Sequence, residues 1–213
     1  MKRYEKYKDS GVDWIGEIPE GWECCRFKNV LSLVTTPSCC DKKIGLENIE
    51  SGTGTFIASD SEFEGNGVEF KENDIVYGKL RPYLKKVWQA EFEGNAVGDF
   101  FVFRTKNNCI PDYMKYLMLS DNFTSIADGS TNGAKMPRVS SDFILQLGLY
   151  LPPLSEQQSI ASYLDEKTGK VDSLIAALES QIEELKAYKC SLISEAVTGK
   201  VDLRGWNEAE QKN

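Results

Sequence analysis

From Leu164 onward the apolar residues recur in alternating steps of four and three. Leu164, Val171, Ile175, Leu178, Ile182, Leu185, Leu192 and Ala196 keep that rhythm, and Thr168 and Lys189 fill its two gaps. This is a heptad seam and not the broad apolar stripe of a helix lying on its own core. A helix from 164 to 196 is roughly 50 Å long at about 1.5 Å per residue. A domain of some 150 residues cannot cover both its ends, so the helix is expected to project and its seam to need a partner helix. Ser155-Glu-Gln-Gln158, just after Pro152-Pro153, has the form of a capping box. It predicts a first helix from Ser155 to about Leu164, with Asp165 capping a second, longer one and Gly199 stopping it. The alternative is an ordinary amphipathic helix packed on its own domain.

Lys189 sets the expected orientation. In a parallel pair it would meet its own copy inside the seam, where like charges repel. An antiparallel pair in which residue numbers sum to 367 places Lys189 against Leu178, Ile182 against Leu185, Ile175 against Leu192 and Val171 against Ala196. The ammonium then reaches water near the edge of the coil.

The chain divides at the two prolines, into residues 1–153 and 154–213. The first part reads as α+β. Asp74–Leu80 and Ala96–Thr105 are rich in β-branched and aromatic residues and predict strands. Pro111–Ser120 opens with proline, has helical spacing, and predicts a short helix. Residues 47–74 hold eight acids and one base, the pattern of a solvated, loop-rich face.

Much chemistry is excluded. There is no histidine, so His-dependent triads, imidazole bases and His-metal sites are absent. The six cysteines form no CxxC pair; reduced thiols in a cytoplasmic protein are expected, and no metal site. No GxxxxGK[ST] loop occurs, and Gly52-Thr-Gly54-Thr-Phe56 leads into acidic sequence and not into a helix. No apolar run is long enough to cross a membrane, and none follows the N-terminal MKRYEKYKDSG as a signal peptide needs. No catalytic residue and no cofactor is expected. The net charge of −8, from 25 bases and 33 acids, argues against a non-specific polycation. Against that background two basic clusters stand out. Lys79, Arg81, Lys85 and Lys86 surround Tyr83, and Lys135 and Arg138 follow a Gly/Ser/Thr/Asn loop. Such groups on loops leaving strands suit phosphate and base-edge contacts. They are expected to share one concave face, with the acidic 47–74 region turned away.

Several stretches together resemble type I restriction–modification specificity (S) subunits. Tyr7-Lys-Asp-Ser-Gly-Val-Asp-Trp14-Ile-Gly-Glu-Ile-Pro19-Glu-Gly-Trp22 resembles their amino-terminal entry. Tyr77-Gly-Lys-Leu-Arg-Pro-Tyr83 and Lys135-Met-Pro-Arg138-Val-Ser are similar to parts of their target recognition domains. Leu151-Pro-Pro-Leu-Ser-Glu-Gln-Gln-Ser-Ile-Ala161 resembles the start of their helical spacer, and Ala196-Val-Thr-Gly-Lys-Val-Asp-Leu-Arg204 its end. The resemblance implies a non-catalytic, DNA-reading subunit with a recognition domain at 1–153. A helical spacer at 154–213 would then serve dimerisation and docking. Its partners would be double-stranded DNA, the modification (M) subunits that carry the adenine methyltransferase and its S-adenosylmethionine, and the restriction (R) subunit. A second copy would join it as an antiparallel homodimer. Family members normally have two recognition domains and two spacers. This chain has one of each, and is expected to be a half-sized S subunit and not a fragment. The rival expectations are an acidic decoy that occupies M subunits without touching DNA, and a free-standing methyltransferase. The latter lacks the [D/N]PP[Y/F] tetrapeptide.

Overall fold

The computed structural model describes residues 3–12, 14–38, 40–59, 61–131, 136–204 and 206. Two compact units emerge, Met1–Ser162 and Tyr163–Asn213. The first begins with β1 (Tyr7–Asp9), β2 (Glu17–Pro19) and β3 (Glu23–Arg26), then α1 (Phe27–Val30) and β4 (Leu31–Val34). Next come β5 (Pro37–Ser38), β6 (Lys43–Ile44), β7 (Gly67–Phe70), β8 (Ile75–Gly78) and β9 (Val87–Gln89). After β10 (Gly94–Ala96) and β11 (Phe100–Thr105) follow α2 (Pro111–Leu119), α3 (Asp121–Gly129), α4 (Ser141–Gln146) and β12 (Gly148–Leu151). The long helix α5 (Leu154–Val197) then leads into the second unit.

The sheet β4-β11-β8-β9 is antiparallel throughout and sits between two apolar clusters. Successive side chains of a strand point to opposite faces. Ile75, Tyr77, Val87 and Phe103 therefore face one cluster, with Met114, Met118, Phe123 and Ile144 of the helices. Val76, Trp88, Phe100 and Val102 face the other, with Ile44, Phe70 and Ala96 of the second sheet, β5-β7-β10-β6. Helices, sheet and sheet make three layers. Burial on both faces explains why DIVYGKL and FFVF are apolar runs without alternation.

The first expected strand is β8, trimmed to four residues. The second, Ala96–Thr105, is two strands in different sheets. Gly98 takes φ +95°, a conformation that favours glycine, and there the chain leaves β10 and enters β11. The helix over Pro111–Ser120 forms as α2. The 47–74 segment is mostly irregular, but it also buries Asn48, Ile49 and Phe70 and supplies β7.

The start of α5 differs from the expected capping box. The helix begins at Leu154, and the Pro153 carbonyl accepts the amides of Glu156 and Gln157. Ser155 is therefore inside the first turn and is not its cap. Gln157, not Gln158, is the anchoring amide. It is fully buried, accepts from the Ile110 amide at 2.8 Å, and donates to the carbonyls of Pro152 (2.8 Å) and Asn108 (3.1 Å). Nor does a second helix begin at Asp165; α5 runs through it unbroken for 44 residues. The flanking residues are good helix formers, and an aspartate on a solvated helix face costs only a fraction of a kcal/mol. The stop falls where expected. Gly199 has φ +73°, its amide reaches the Ala196 carbonyl, and the Lys200 amide reaches Glu195, the two bonds of a Schellman turn. Every residue from Asp165 to Ser194 is exposed.

Replacing Gln157 by Leu should cost about 2 kcal/mol, because the shape is kept while buried backbone groups lose their partner. Gln158→Leu, on the exposed side of the same turn, should stay within about 0.5 kcal/mol. Urea unfolding of the two variants measures the difference.

Candidate nucleic-acid interface

Strand β8 and β11 end side by side, with Gly78 opposite Phe100. The residues just beyond them, Lys79 and Asp99, are therefore neighbours, and the Lys79 amide donates to the Asp99 carbonyl at 2.9 Å. From Lys79 the chain enters a tight loop closed by a 3-10 turn, Pro82–Leu84. Arg81 and Lys85 bracket this turn at φ +51° and +49°. Both are left-handed, a conformation costly for side chains other than glycine and concentrated at functional sites.

The second basic segment lies against this loop. Leu80 and Arg138 form an antiparallel bridge; the Arg81 amide donates to Pro137 and the Val139 amide to Lys79. Asp99 joins the two side-chain sets. Its carboxylate accepts a bidentate pair from Arg138, at 3.1 Å from Nε and 2.9 Å from Nη2, with Lys79 Nζ at 3.6 Å. The hydrogen bond from Arg138 holds the Asp99 carboxyl below its ordinary value, against an opposing push from burial.

The other cations fall into distinct roles. Lys85 pairs with Asp121 at the start of α3, whose carboxyl is lowered by that hydrogen bond. Lys86 donates to the carbonyls of Leu46 (2.7 Å) and Ile49 (2.8 Å), so its ammonium tethers the neighbouring loop. Arg81 makes no side-chain hydrogen bond or ion pair among the described residues, and its side chain is exposed. Tyr83, at the tip of the turn, is 51% exposed. Lys135 lies outside the described residues. The acidic segment is not wholly turned away: the Gly52 amide bonds to Lys85 O, and residues 46–49 hold Lys86.

Asp99 and Asp121 escape a sequence search because each sits among many acids. The one available signal for Asp99 is its place directly before a strand, two residues after which the apolar run begins to alternate between two cores. The left-handed backbone at Arg81 and Lys85 has no sequence signal, since neither is Gly or Asn.

A family model described as the type I restriction modification DNA specificity domain matches residues 19–186. The chain belongs to this family. Among curated relatives it is 25% identical to the type I restriction enzyme EcoDI specificity subunit of Escherichia coli, over 86% of this chain and 43% of that one. It is 24% identical to the MjaVIII specificity subunit of Methanocaldococcus jannaschii, over 91% of this chain and 49% of that one. The chain thus spans about half the length of the curated relatives it matches. The fold is that of the HsdS subunit of Thermoanaerobacter tengcongensis (TM-score 0.62, 22% identity, 79% of this chain and 48% of that one). It also matches the S subunit of M. genitalium (TM-score 0.51, 15% identity, 90% and 50%).

Asp99 has its pKa depressed in the folded state. Its contribution to stability is present above the ordinary carboxylate value, about 3.9, and is lost as pH falls through the lower folded value. Asp99→Asn should therefore melt below the wild type at pH 7, and the gap should close towards pH 2–3. Thermal melts across that range measure it.

Proposed function

We propose that this chain is a DNA-reading specificity subunit, contacting double-stranded DNA through the 79–85 loop and the adjoining 136–139 segment. The observation that carries this reading is the convergence of Lys79, Arg81, Tyr83, Lys85 and Arg138, from two distant parts of the sequence, on one pair of hydrogen-bonded segments. Residues 1–153 act as the target recognition domain. Lys79, Lys85 and Arg138 are pre-positioned by carboxylates, and Arg81 meets phosphate unpaired. Tyr83 offers an aromatic face or hydroxyl to the groove. Lys86 supports the loop from behind, and Lys135 adds a further cation. The chain performs no catalysis and holds no cofactor; methylation and cleavage belong to M and R subunits that assemble with it on DNA in the cytoplasm.

Residues 154–213 act as spacer, dimerisation helix and M-subunit dock. The exposed seam Val171, Ile175, Leu178, Ile182, Leu185, Lys189, Leu192 and Ala196 closes against a second copy in antiparallel fashion, as a coiled coil with its axis near residues 183–184. A helix of roughly 50 Å then separates two recognition domains by more than one ~34 Å turn of DNA. Each domain reads one half of a split site.

One observation favours the decoy reading: three of the four converging cations already have a carboxylate partner. Arg81→Ala separates the two. On the DNA-reading proposal it weakens binding to all duplexes alike and lowers the slope of log affinity against log salt by about 0.9. A slope unchanged from wild type, in complex with M subunits, favours the decoy.

Two-fold symmetry has its own consequence. With this chain as the only specificity protein present, methylome sequencing of a host carrying it with its M subunit should find a split palindrome. An asymmetric methylated motif would contradict the homodimer.

A further inference from the structure

Arg138 holds Asp99 by one edge of its guanidinium and leaves the other edge open. The two bonds to the carboxylate come from Nε (3.1 Å) and Nη2 (2.9 Å), the side-on pair. A guanidinium carries five N–H donors in one plane. The end-on edge, one hydrogen each from Nη1 and Nη2, makes no hydrogen bond among the described residues, and the Arg138 side chain is 48% exposed.

Each support of this side chain is itself fixed. The Arg138 backbone is bridged to Leu80, with the Arg81 amide on the Pro137 carbonyl and the Val139 amide on that of Lys79. Val139, next in the chain, is buried and anchors the segment in the core. Asp99 is held by the Lys79 amide on its carbonyl, one residue before β11. Lys79 Nζ lies 3.6 Å from the same carboxylate and 5.6 Å from the centre of the Phe101 ring. Two cations share one carboxylate, so the cluster stays positive. A second side-on pair, Arg104 on Asp74, differs: Asp74 is buried and also accepts the Lys71 amide. That pair serves the fold.

Such rigidity is more than a phosphate contact requires. Phosphate tolerates a mobile cation, and Arg81, on the adjoining loop, meets that need. A fork of two parallel donors held in one place matches two acceptors side by side. In the major groove only guanine presents them, at N7 and O6. Adenine sets an acceptor beside a donor, thymine an acceptor beside a methyl group, and cytosine offers a donor. We propose that Arg138 reads a guanine of the target site through its end-on edge, and that Asp99 is the positioning residue that aims it. This rests on the DNA-reading proposal above and deepens it, because it assigns one cation to a base and names the base.

Selection from a randomised duplex library by the full-length chain, in complex with its M subunits, tests it. The wild type should select a site containing a G·C pair whose preference falls about tenfold in Arg138→Ala, with the other positions still discriminated. Replacing that guanine by 7-deazaguanine, which lacks the N7 acceptor but pairs normally, should cost the wild type roughly fivefold and Arg138→Ala nothing. Asp99→Asn separates positioning from stability. With one negative charge fewer it should bind a random duplex more tightly than the wild type, and yet prefer the G·C pair less. A wild type indifferent to 7-deazaguanine at every position of its site overturns guanine reading and leaves DNA reading standing. So does an Arg138→Ala variant weakened on all duplexes alike with the G·C preference intact. An Asp99→Asn variant that loses affinity for all duplexes alike overturns the positioning role. A wild type that selects no sequence overturns both guanine reading and DNA reading.

Discussion

The antiparallel sheet β4-β11-β8-β9 must be covered on both faces, and most of the first unit follows from that requirement. Its strands contribute side chains alternately to two clusters, so neither face is left to water. Helices α2, α3 and α4 supply one cover and the second sheet the other. Once both faces are closed, the ends of the strands are the places left for polar chemistry. The cation-bearing loop leaves the end of β8, and Asp99 enters the adjacent end of β11. The Gly78–Phe100 pairing fixes their separation. The site inherits the rigidity of the sheet, which loops alone do not supply.

Electrostatics at this edge is local. The net charge of −8 opposes approach to a polyanion, and charges further apart than a Debye length of about 8 Å are largely screened at physiological salt, so no long-range attraction is available. On the proposed reading, attraction comes from short-range geometry: a fork at Arg138, an ammonium at Lys79 and, at Arg81, a guanidinium with no side-chain partner among the described residues. The carboxylates of Asp99 and Asp121 do more than neutralise. They hold long, flexible side chains in one arrangement, which lowers the entropy lost on contact with a ligand. On the proposed reading, phosphate must displace or share these partners, and that weakens binding everywhere. The same requirement favours a surface that engages only where the fit is good. The left-handed backbone at Arg81 and Lys85 belongs to this arrangement, because it turns the chain sharply enough to place Tyr83 at the tip.

The parts of this architecture legible in the sequence are those governed by period and composition. The heptad seam, the glycine stop and the helix at α2 follow from spacing that tertiary contacts do not disturb. The basic clusters were legible as composition, and the likeness to specificity subunits as motif. What escaped was decided by contacts between distant residues. The sequence Ser155-Glu-Gln-Gln158 satisfies a capping pattern, yet the Pro153 carbonyl took the amides and Gln157 was drawn inward by three backbone groups near residues 108–110 and 152. Ala96–Thr105 reads as one strand because its apolar content is continuous, and only Gly98 betrays the change of sheet. Lys86 is indistinguishable from Lys85 in sequence, but one faces carbonyls and the other a carboxylate. Position within a cluster of bases says nothing about which member is structural.

Helix α5 raises a different question, because its exposed length has so little to hold it. Thirty consecutive residues, Asp165 to Ser194, are exposed. Isolated helices in water draw only modest stability from propensity. Within the helix, Lys170 reaches Glu166 and Lys186 reaches Glu183, exposed pairs that add little. Meanwhile Ile175, Leu178, Ile182 and Leu185 stay about half exposed or more, an apolar surface larger than a solitary helix normally presents. In the proposed dimer, coil formation converts that liability into the main source of order. It therefore makes the order of the spacer a property of the pair and not of the chain. On the proposed reading, the same contact that rigidifies the spacer also sets the distance between recognition domains. Length, rigidity and two-fold symmetry then have one physical origin in the seam, and Lys189, the single charge upon it, selects the antiparallel arrangement that sends the two domains apart.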